Sequence, residues 1–285
     1  MWKRETLRRV QLGVLIAVVA VFIIYVLNKF LLYNQFDNSY PEISFGKELL
    51  EVSVTTTEEE LLADVTAKDK KDGDVTDSLM IEGMSNLLEG NERIVTYVAF
   101  DEDNHVSKVE RRIKYTDYRP IRFSLHEPLS SISMSSSFSA AIGALKATDC
   151  VDGDISDHIV IADTVMENLS TEALYVTYKI QVTNSCGEIA ELELPIKMNM
   201  GTSNSVGNLG AIALKEYLIY ANVGDEIHYK DYITSATWRG NEVGAERVNV
   251  ESNVDTTIPG TYVATYTFTQ EEVQITCDLI IVVEE

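Results

Sequence analysis

Cysteine is scarce in this chain, as are the side chains from which catalytic sites are usually assembled. The 3 cysteines form no C-x-x-C pair and none lies near a histidine cluster, which excludes the common zinc arrangements. The 4 histidines, His105, His126, His158 and His228, are scattered along the chain. There is no Gly-x-Ser-x-Gly, no glycine-rich phosphate loop and no His-Glu-x-x-His. These absences predict a protein that is not an enzyme and holds no catalytic cofactor. Positive charge is short too: 23 Lys and Arg stand against 45 Asp and Glu, a net −22. Such a surface repels nucleic acid and anionic lipid, so no nucleic-acid partner is expected. It attracts cations or basic partners, and it equally serves solubility.

Long apolar runs are limited to one. Val10 to Leu27 contains one Gln, one Gly and no charge, and after Asn28-Lys29 the apolar character resumes through Tyr33. At ~1.5 Å per residue, about 20 residues cross a hydrocarbon core. Lys3, Arg4, Arg8 and Arg9 precede the run against a single Glu5, which predicts a cytoplasmic N-terminus and an exported remainder. The competing reading is a cleaved signal peptide, whose apolar core of ~7–15 residues would end at a small-x-small site. Here the small residues Ala17 and Ala20 lie inside the run, and no Cys follows it to suit a lipoprotein anchor. We therefore expect a cytoplasmic tail at 1–9, a transmembrane helix at 10–33 and a single-pass protein of the cell membrane. Residues 1–33 carry +4, which leaves −26 for the exported part.

That part reads as strands. Ile94 to Phe100, Leu174 to Val182 and Gly260 to Phe268 are β-branched and aromatic, and all three alternate as half-buried strands do. Each is followed by a short polar turn and a closing strand: Val106 to Tyr115, Ile189 to Met198 and Val273 to Val283. Only Glu58 to Val65 has the makings of a helical turn. The fold class is all-β, and the threefold recurrence predicts three domains at 39–117, 118–199 and 211–285. Residues 200–210, rich in Gly, Ser and Asn and uncharged, form the linker and would let the third domain swing. The serine cluster Ser130 to Ser139 reads as a surface loop within the second domain.

A motif repeats across the first two domains. Ala67-Lys68-Asp69-Lys70-Lys71-Asp72-Gly73-Asp74-Val75-Thr76 returns as Ala147-Thr148-Asp149-Cys150-Val151-Asp152-Gly153-Asp154-Ile155-Ser156, 80 residues on. Pro41-Glu42-Ile43 and Pro120-Ile121 precede it, and Val95 to Asp101 and Tyr175 to Val182 follow it. This conjunction resembles the bacterial surface-protein Ig-like family, also found beside pesticidal crystal toxins and similar to hyalin-repeat domains. The third domain lacks the acidic stretch. It keeps Asp255-Thr256-Thr257-Ile258-Pro259-Gly260-Thr261-Tyr262, which resembles the family's Asp-Thr-x-x-x-Gly-x-Tyr segment. The resemblance implies tandem Ig-like β-sandwiches on a bacterial surface and implies no reaction.

In an Ig-like sandwich the loops after the second strand and after the core strand share one end. Asp69, Asp72 and Asp74 would then face Asp101, Glu102 and Asp103, a set rich enough in oxygen for calcium. Asp149, Asp152, Asp154 and Asp157 would face Thr183-Asn184-Ser185 in the second domain, a poorer set. The spacing is not that of an EF-hand, and Asp-Gly-Asp is also ordinary turn chemistry. Both readings stand. The same geometry implies that Cys150 and Cys186 lie on adjacent loops, either as two reduced thiols or as a disulfide that would contribute about 3–4 kcal/mol by loop entropy. Cys277 sits in a strand pattern and reads as a small buried hydrophobe. The third domain carries Tyr217, Tyr220, Tyr229, Tyr232 and, with Arg239 on an expected loop, Trp238; these aromatics either fill the sandwich core or suit sugar stacking or a protein contact at a binding tip.

The function these features predict is non-enzymatic: a membrane-anchored cell-surface protein presenting Ig-like domains for adhesion or for recognition of a protein or glycan. The alternative is an accessory subunit of a bacterial envelope complex for secretion, division or wall synthesis.

Overall fold

Alternation of apolar and polar side chains decides the architecture, and the computed structural model follows it closely. It describes residues 2–35, 39–129, 143–168, 173–199 and 209–285. The serine cluster and residues 200–208 of the expected linker lie outside that set. Helix α1, Trp2–Gln35, contains the stretch Arg8–Leu31, of mean hydropathy 2.8, long and apolar enough to cross a membrane. None of that stretch is covered by protein. The short helix α2, Glu58–Leu62, forms where a helical turn was expected because Thr57 and Glu60 cap it reciprocally. The Glu60 N–H donates to Thr57 Oγ1 (3.3 Å) and the Thr57 N–H to Glu60 Oε2 (3.0 Å).

Among the described residues all other long elements are strands, and they form six sheets in three consecutive pairs. The first pair uses β1 (Glu42–Phe45), β2 (Leu49–Val52), β3 (Val65–Asp69), β4 (Gly73–Asp74), β5 (Met80–Met84), β6 (Glu92–Phe100) and β7 (Val106–Tyr115). Their orders are β1-β3-β4 and β2-β7-β6-β5. The second pair uses β8 (Arg122–Leu125), β9 (Leu145–Asp149), β10 (Gly153–Asp154), β11 (Val160–Asn168), β12 (Ala173–Thr183) and β13 (Ile189–Asn199), ordered β10-β9-β8 and β11-β12-β13.

The third pair uses β14 (Gly210–Leu214), β15 (Leu218–Asn222), β16 (Ile233–Trp238), β17 (Asn241–Val243), β18 (Asn249–Ser252), β19 (Gly260–Gln270) and β20 (Val273–Glu284). Here the orders are β14-β16-β17 and β15-β20-β19-β18, with β15 parallel to β20. The result is an all-β chain of Ig-like sandwiches behind one apolar helix. The core hairpins carry long unbroken registers, from Ala173↔Asn199 to Thr183↔Ile189 and from Gly260↔Val283 to Gln270↔Val273. Contact density divides the chain into two compact units. One is Met1–Glu51, Thr56–Ser85 and Arg93–Lys114; the other is Val52–Thr55, Asn86–Glu92 and Tyr115–Glu285.

Among the charged side chains buried in the first unit, Arg111 is the most deeply enclosed. Inward positions of β7 carry Val109, Arg111, Ile113 and Tyr115, and Arg111 is 1% exposed. Its Nη1 and Nη2 donate to Asp64 Oδ1 (2.6 Å) and Oδ2 (2.8 Å), and its Nε donates to the Lys47 carbonyl (2.8 Å). The guanidinium also stacks over Phe45, 4.9 Å from the ring centre. The hydrogen bond from Arg111 holds the Asp64 carboxyl below the usual carboxylate range, against the opposing effect of burial.

Asp64→Ala leaves a buried guanidinium without its acceptor. Because the Asp64 side chain is 45% exposed, water replaces part of that bond, and we expect a loss of about 2 kcal/mol in urea unfolding. The stability contributed by a depressed carboxylate is full above its unfolded pKa of about 4 and is lost as pH falls through the folded value. The difference in stability between wild type and Asp64→Asn should therefore shrink as pH falls below about 4. Urea titrations at neutral and acid pH check both statements.

Candidate functional site

The repeated motif folds as two hairpins, one in each unit. In the first, Asp69 ends β3 with only 6% exposure, and its Oδ1 accepts hydrogen bonds from the backbone of Lys71 (2.7 Å) and Asp72 (3.1 Å) and from the Ser39 hydroxyl (3.1 Å). Burial alone would raise its pKa. The donors together outweigh burial and hold the carboxyl below its usual range. Gly73 takes φ +82°, which a side chain would resist, and Asp74 Oδ1 accepts the Thr76 N–H (3.0 Å).

The loop after β6 lies against this hairpin, as the resemblance implied. Asp72 Oδ2 accepts the Glu102 N–H (3.0 Å), and Lys71 Nζ pairs with Asp103 (2.5 Å). Asp101 accepts the His105 N–H (2.7 Å) and meets His105 Nδ1 at 2.7 Å. The five expected metal ligands, Asp69, Asp72, Asp74, Asp101 and Asp103, thus share one end of the sandwich. Each is turned to a backbone donor, a lysine or a histidine. Among the described residues no three His, Cys, Asp or Glu side chains are placed to hold a metal ion.

The second unit repeats this arrangement with one exchange. Asp149 Oδ2 accepts from Val151 and Asp152 (both 2.9 Å), and Asp154 caps Ser156. Asp152 receives both the Ser185 N–H and its hydroxyl at 2.6 Å. The remaining Asp149 oxygen accepts Asn184 Nδ2 (3.2 Å). Asp101 stands where Asn184 stands: each donates its N–H to the carbonyl of the residue four positions on, His105 or Glu188, and accepts that residue's N–H on its side-chain Oδ1. The carboxyl at this position carries no amide N–H to match that of Asn184, and among the described residues the buried Asp69 Oδ2 has no hydrogen-bond partner.

Among the described residues no disulfide is formed. The implied Cys150–Cys186 bond is not formed here. Cys150 Sγ exchanges hydrogen bonds with the Arg119 backbone (N 3.3 Å, O 3.2 Å), while Cys186 is buried and its carbonyl accepts the Leu87 N–H (2.7 Å). Cys277 is buried in β20, and burial pushes its thiol up to about 12. Tyr118 bonds Glu188 (2.5 Å) and Asn184 (3.2 Å), with its phenol raised by burial and then by the Glu188 contact.

In the third sandwich Trp238 ends β16, the position held by Asp69 and Asp149 at the ends of β3 and β9. The hairpin shortens to Arg239-Gly240, both at positive φ (46° and 78°), a two-residue turn of the I′ kind. Trp238 is 5% exposed and packs edge-on to Phe268, with centroids 6.3 Å apart. The expectation of an exposed stacking platform is corrected: the indole belongs to the core. Its placement was legible in the strand, where Ala236 and Trp238 fall on one face. Arg239 is exposed, stacks on that indole at 5.5 Å and bonds Glu271 (2.6 Å).

Tyr217 is buried, and Tyr220 is half-buried with its hydroxyl engaged by the Phe123 N–H. What stays open lies around the turn Tyr229–Tyr232. Clefts of about 630 and 420 Å³ flank it, and both are lined by His228 and Asp231. Sequence reasoning passed over His228 and Lys230, because scattered polar residues in a turn carry no pattern.

No family model matches this sequence, and no curated protein matches it. Solved structures do. The M60 catalytic domain with two CBM51 domains of ZmpB from Clostridium perfringens is 11% identical at TM-score 0.23, over 87% of this chain and 31% of that one. A lipoprotein from Bacteroides thetaiotaomicron is 11% identical at TM-score 0.21, over 85% and 98%. The protocadherin gamma B2 extracellular cadherin domains 1–5 are 10% identical at TM-score 0.19, over 88% and 61%. This chain thus spans about a third of the first of these. The chain's own sheets define its fold.

Asp149→Ala strips the Val151 and Asp152 N–H groups and the buried Asn184 amide of their acceptor. We expect a loss of about 2 kcal/mol, read in urea unfolding. Asp101→Asn copies the second sandwich and should raise the unfolding midpoint of the first unit; a lowered midpoint would show that the His105 contact outweighs the new bond. Because the carboxylates serve their own turns, melting in millimolar calcium and in chelator should give the same midpoint. A rise with calcium would show that the carboxylates gather round an ion.

Proposed function

We propose that this is a single-pass membrane protein with a cytoplasmic N-terminus, whose Ig-like sandwiches at 39–117, 118–199 and 211–285 recognise a protein or glycan outside the cell without catalysing a reaction. Helix α1 carries this reading. Its 24-residue apolar stretch is wholly uncovered and precedes an acidic, all-β remainder. Apolar surface removed from water gains roughly 25 cal/mol per Å², so a lipid bilayer is the natural cover for it. Recognition falls to the third sandwich, at the clefts beside Tyr229–Tyr232. There His228, Lys230 and Asp231 are exposed next to the half-buried rings of Tyr229 and Tyr232. Rings flanked by charged hydrogen-bonding groups suit a sugar or a protein side chain.

Carbonate extraction should leave the full chain in the membrane, and protease added outside should remove the sandwiches. In nanodiscs, the full chain should retain a ligand from a glycan panel or an envelope protein fraction. The double substitution His228→Ala, Lys230→Ala should then weaken retention about tenfold or more. Retention that is instead lost only on polar substitution between Leu12 and Leu27 points to a subunit of an envelope complex, recruited through its helix.

A further inference from the structure

Strand β8 pairs with β9 on one edge only. The backbone groups of Phe123 and Leu125, two residues apart, point from one edge of β8. Both are taken by the third sandwich. The Phe123 N–H donates to the Tyr220 hydroxyl oxygen (2.9 Å), and the Leu125 carbonyl accepts the Tyr217 N–H (2.9 Å). Around this pair, the Arg122 guanidinium lies 4.3 Å above the Tyr220 ring, and its Nη1 reaches both Glu284 oxygens at 2.5 Å. Tyr220 and Glu284 lie on the paired strands β15 and β20, so the clamp grips a sheet and not a loop.

The half-exposed Arg122–Glu284 pair would be worth little alone. It closes over an apolar cluster that runs without interruption from Ile121, Phe123 and Leu125 to Tyr217, Ile219 and Val283.

We propose that the second and third sandwiches move and unfold as one rigid body, locked by the docking of Tyr217 and Tyr220 onto the open edge of β8. This replaces the swinging joint that the composition of residues 200–210 predicts, and it stands whatever the protein recognises. Docking also shields a strand edge that would otherwise be a template for pairing with other chains.

Trp2 and Trp238 are the only tryptophans. In the full chain in detergent micelles, Trp2→Phe leaves Trp238 as the sole indole, a reporter of the third sandwich. Leu194→Ala removes a fully buried side chain from the second sandwich. If the two are locked, the Trp238 fluorescence transition in urea should move to lower denaturant in step with the loss of β-sheet circular dichroism. Adding Arg122→Ala and Tyr220→Ala should cancel that shift of the Trp238 midpoint. Ile196→Val, a milder change in the same core, serves if Leu194→Ala does not fold. A Trp238 midpoint indifferent to the second-sandwich substitution, or a shift that survives loss of the clamp, overturns the proposal.

Discussion

A carboxylate buried at the end of a strand is the constraint on which each acidic turn depends. A tight hairpin aims backbone N–H groups at its own strand end, and a donor left unpaired where water is partly excluded costs on the order of 1–3 kcal/mol. Asp69 and Asp149 supply the missing acceptors from within the same hairpin. The next acidic residue reaches across to the neighbouring loop, Asp72 to Glu102 and Asp152 to Ser185. Local turn chemistry thereby becomes long-range order: one end of the sandwich is tied by a chain of carboxylate-to-amide bonds.

The third sandwich solves the same problem differently. A two-residue turn exposes fewer inward amides, so the strand end needs no acceptor and an indole fills the space. The loss of the acidic motif and the burial of Trp238 are therefore a single event at one position. Read separately in the sequence, they suggested a missing motif and an exposed aromatic tip.

Much of the fold was legible because its causes are local. Period-two alternation located the core hairpins to within a residue or two, and the polar run before Leu61 located α2. Arg111 left a signal that went unused, a cation at an inward position between Val109 and Ile113. The parallel pairing of β15 with β20, the docking of Tyr220 on Phe123 and the cross-loop partners of Asp72 and Asp152 were not legible. Each depends on segments 30 to 100 residues apart whose approach is set by packing. The cysteines illustrate the limit: adjacent loops were inferable, but the thiol of Cys150 is held by the Arg119 backbone.

The parallel registration of β15 with β20 has a mechanical consequence. The pairs run from Leu218↔Ile280 to Asn222↔Glu284. A pull on the start of β15 and the end of β20 drags the strands past one another along their length. The load then falls on the whole ladder at once, not on one bond at a time as in an opening zipper. Tension applied across this sandwich would therefore be borne by the β15–β20 ladder in shear.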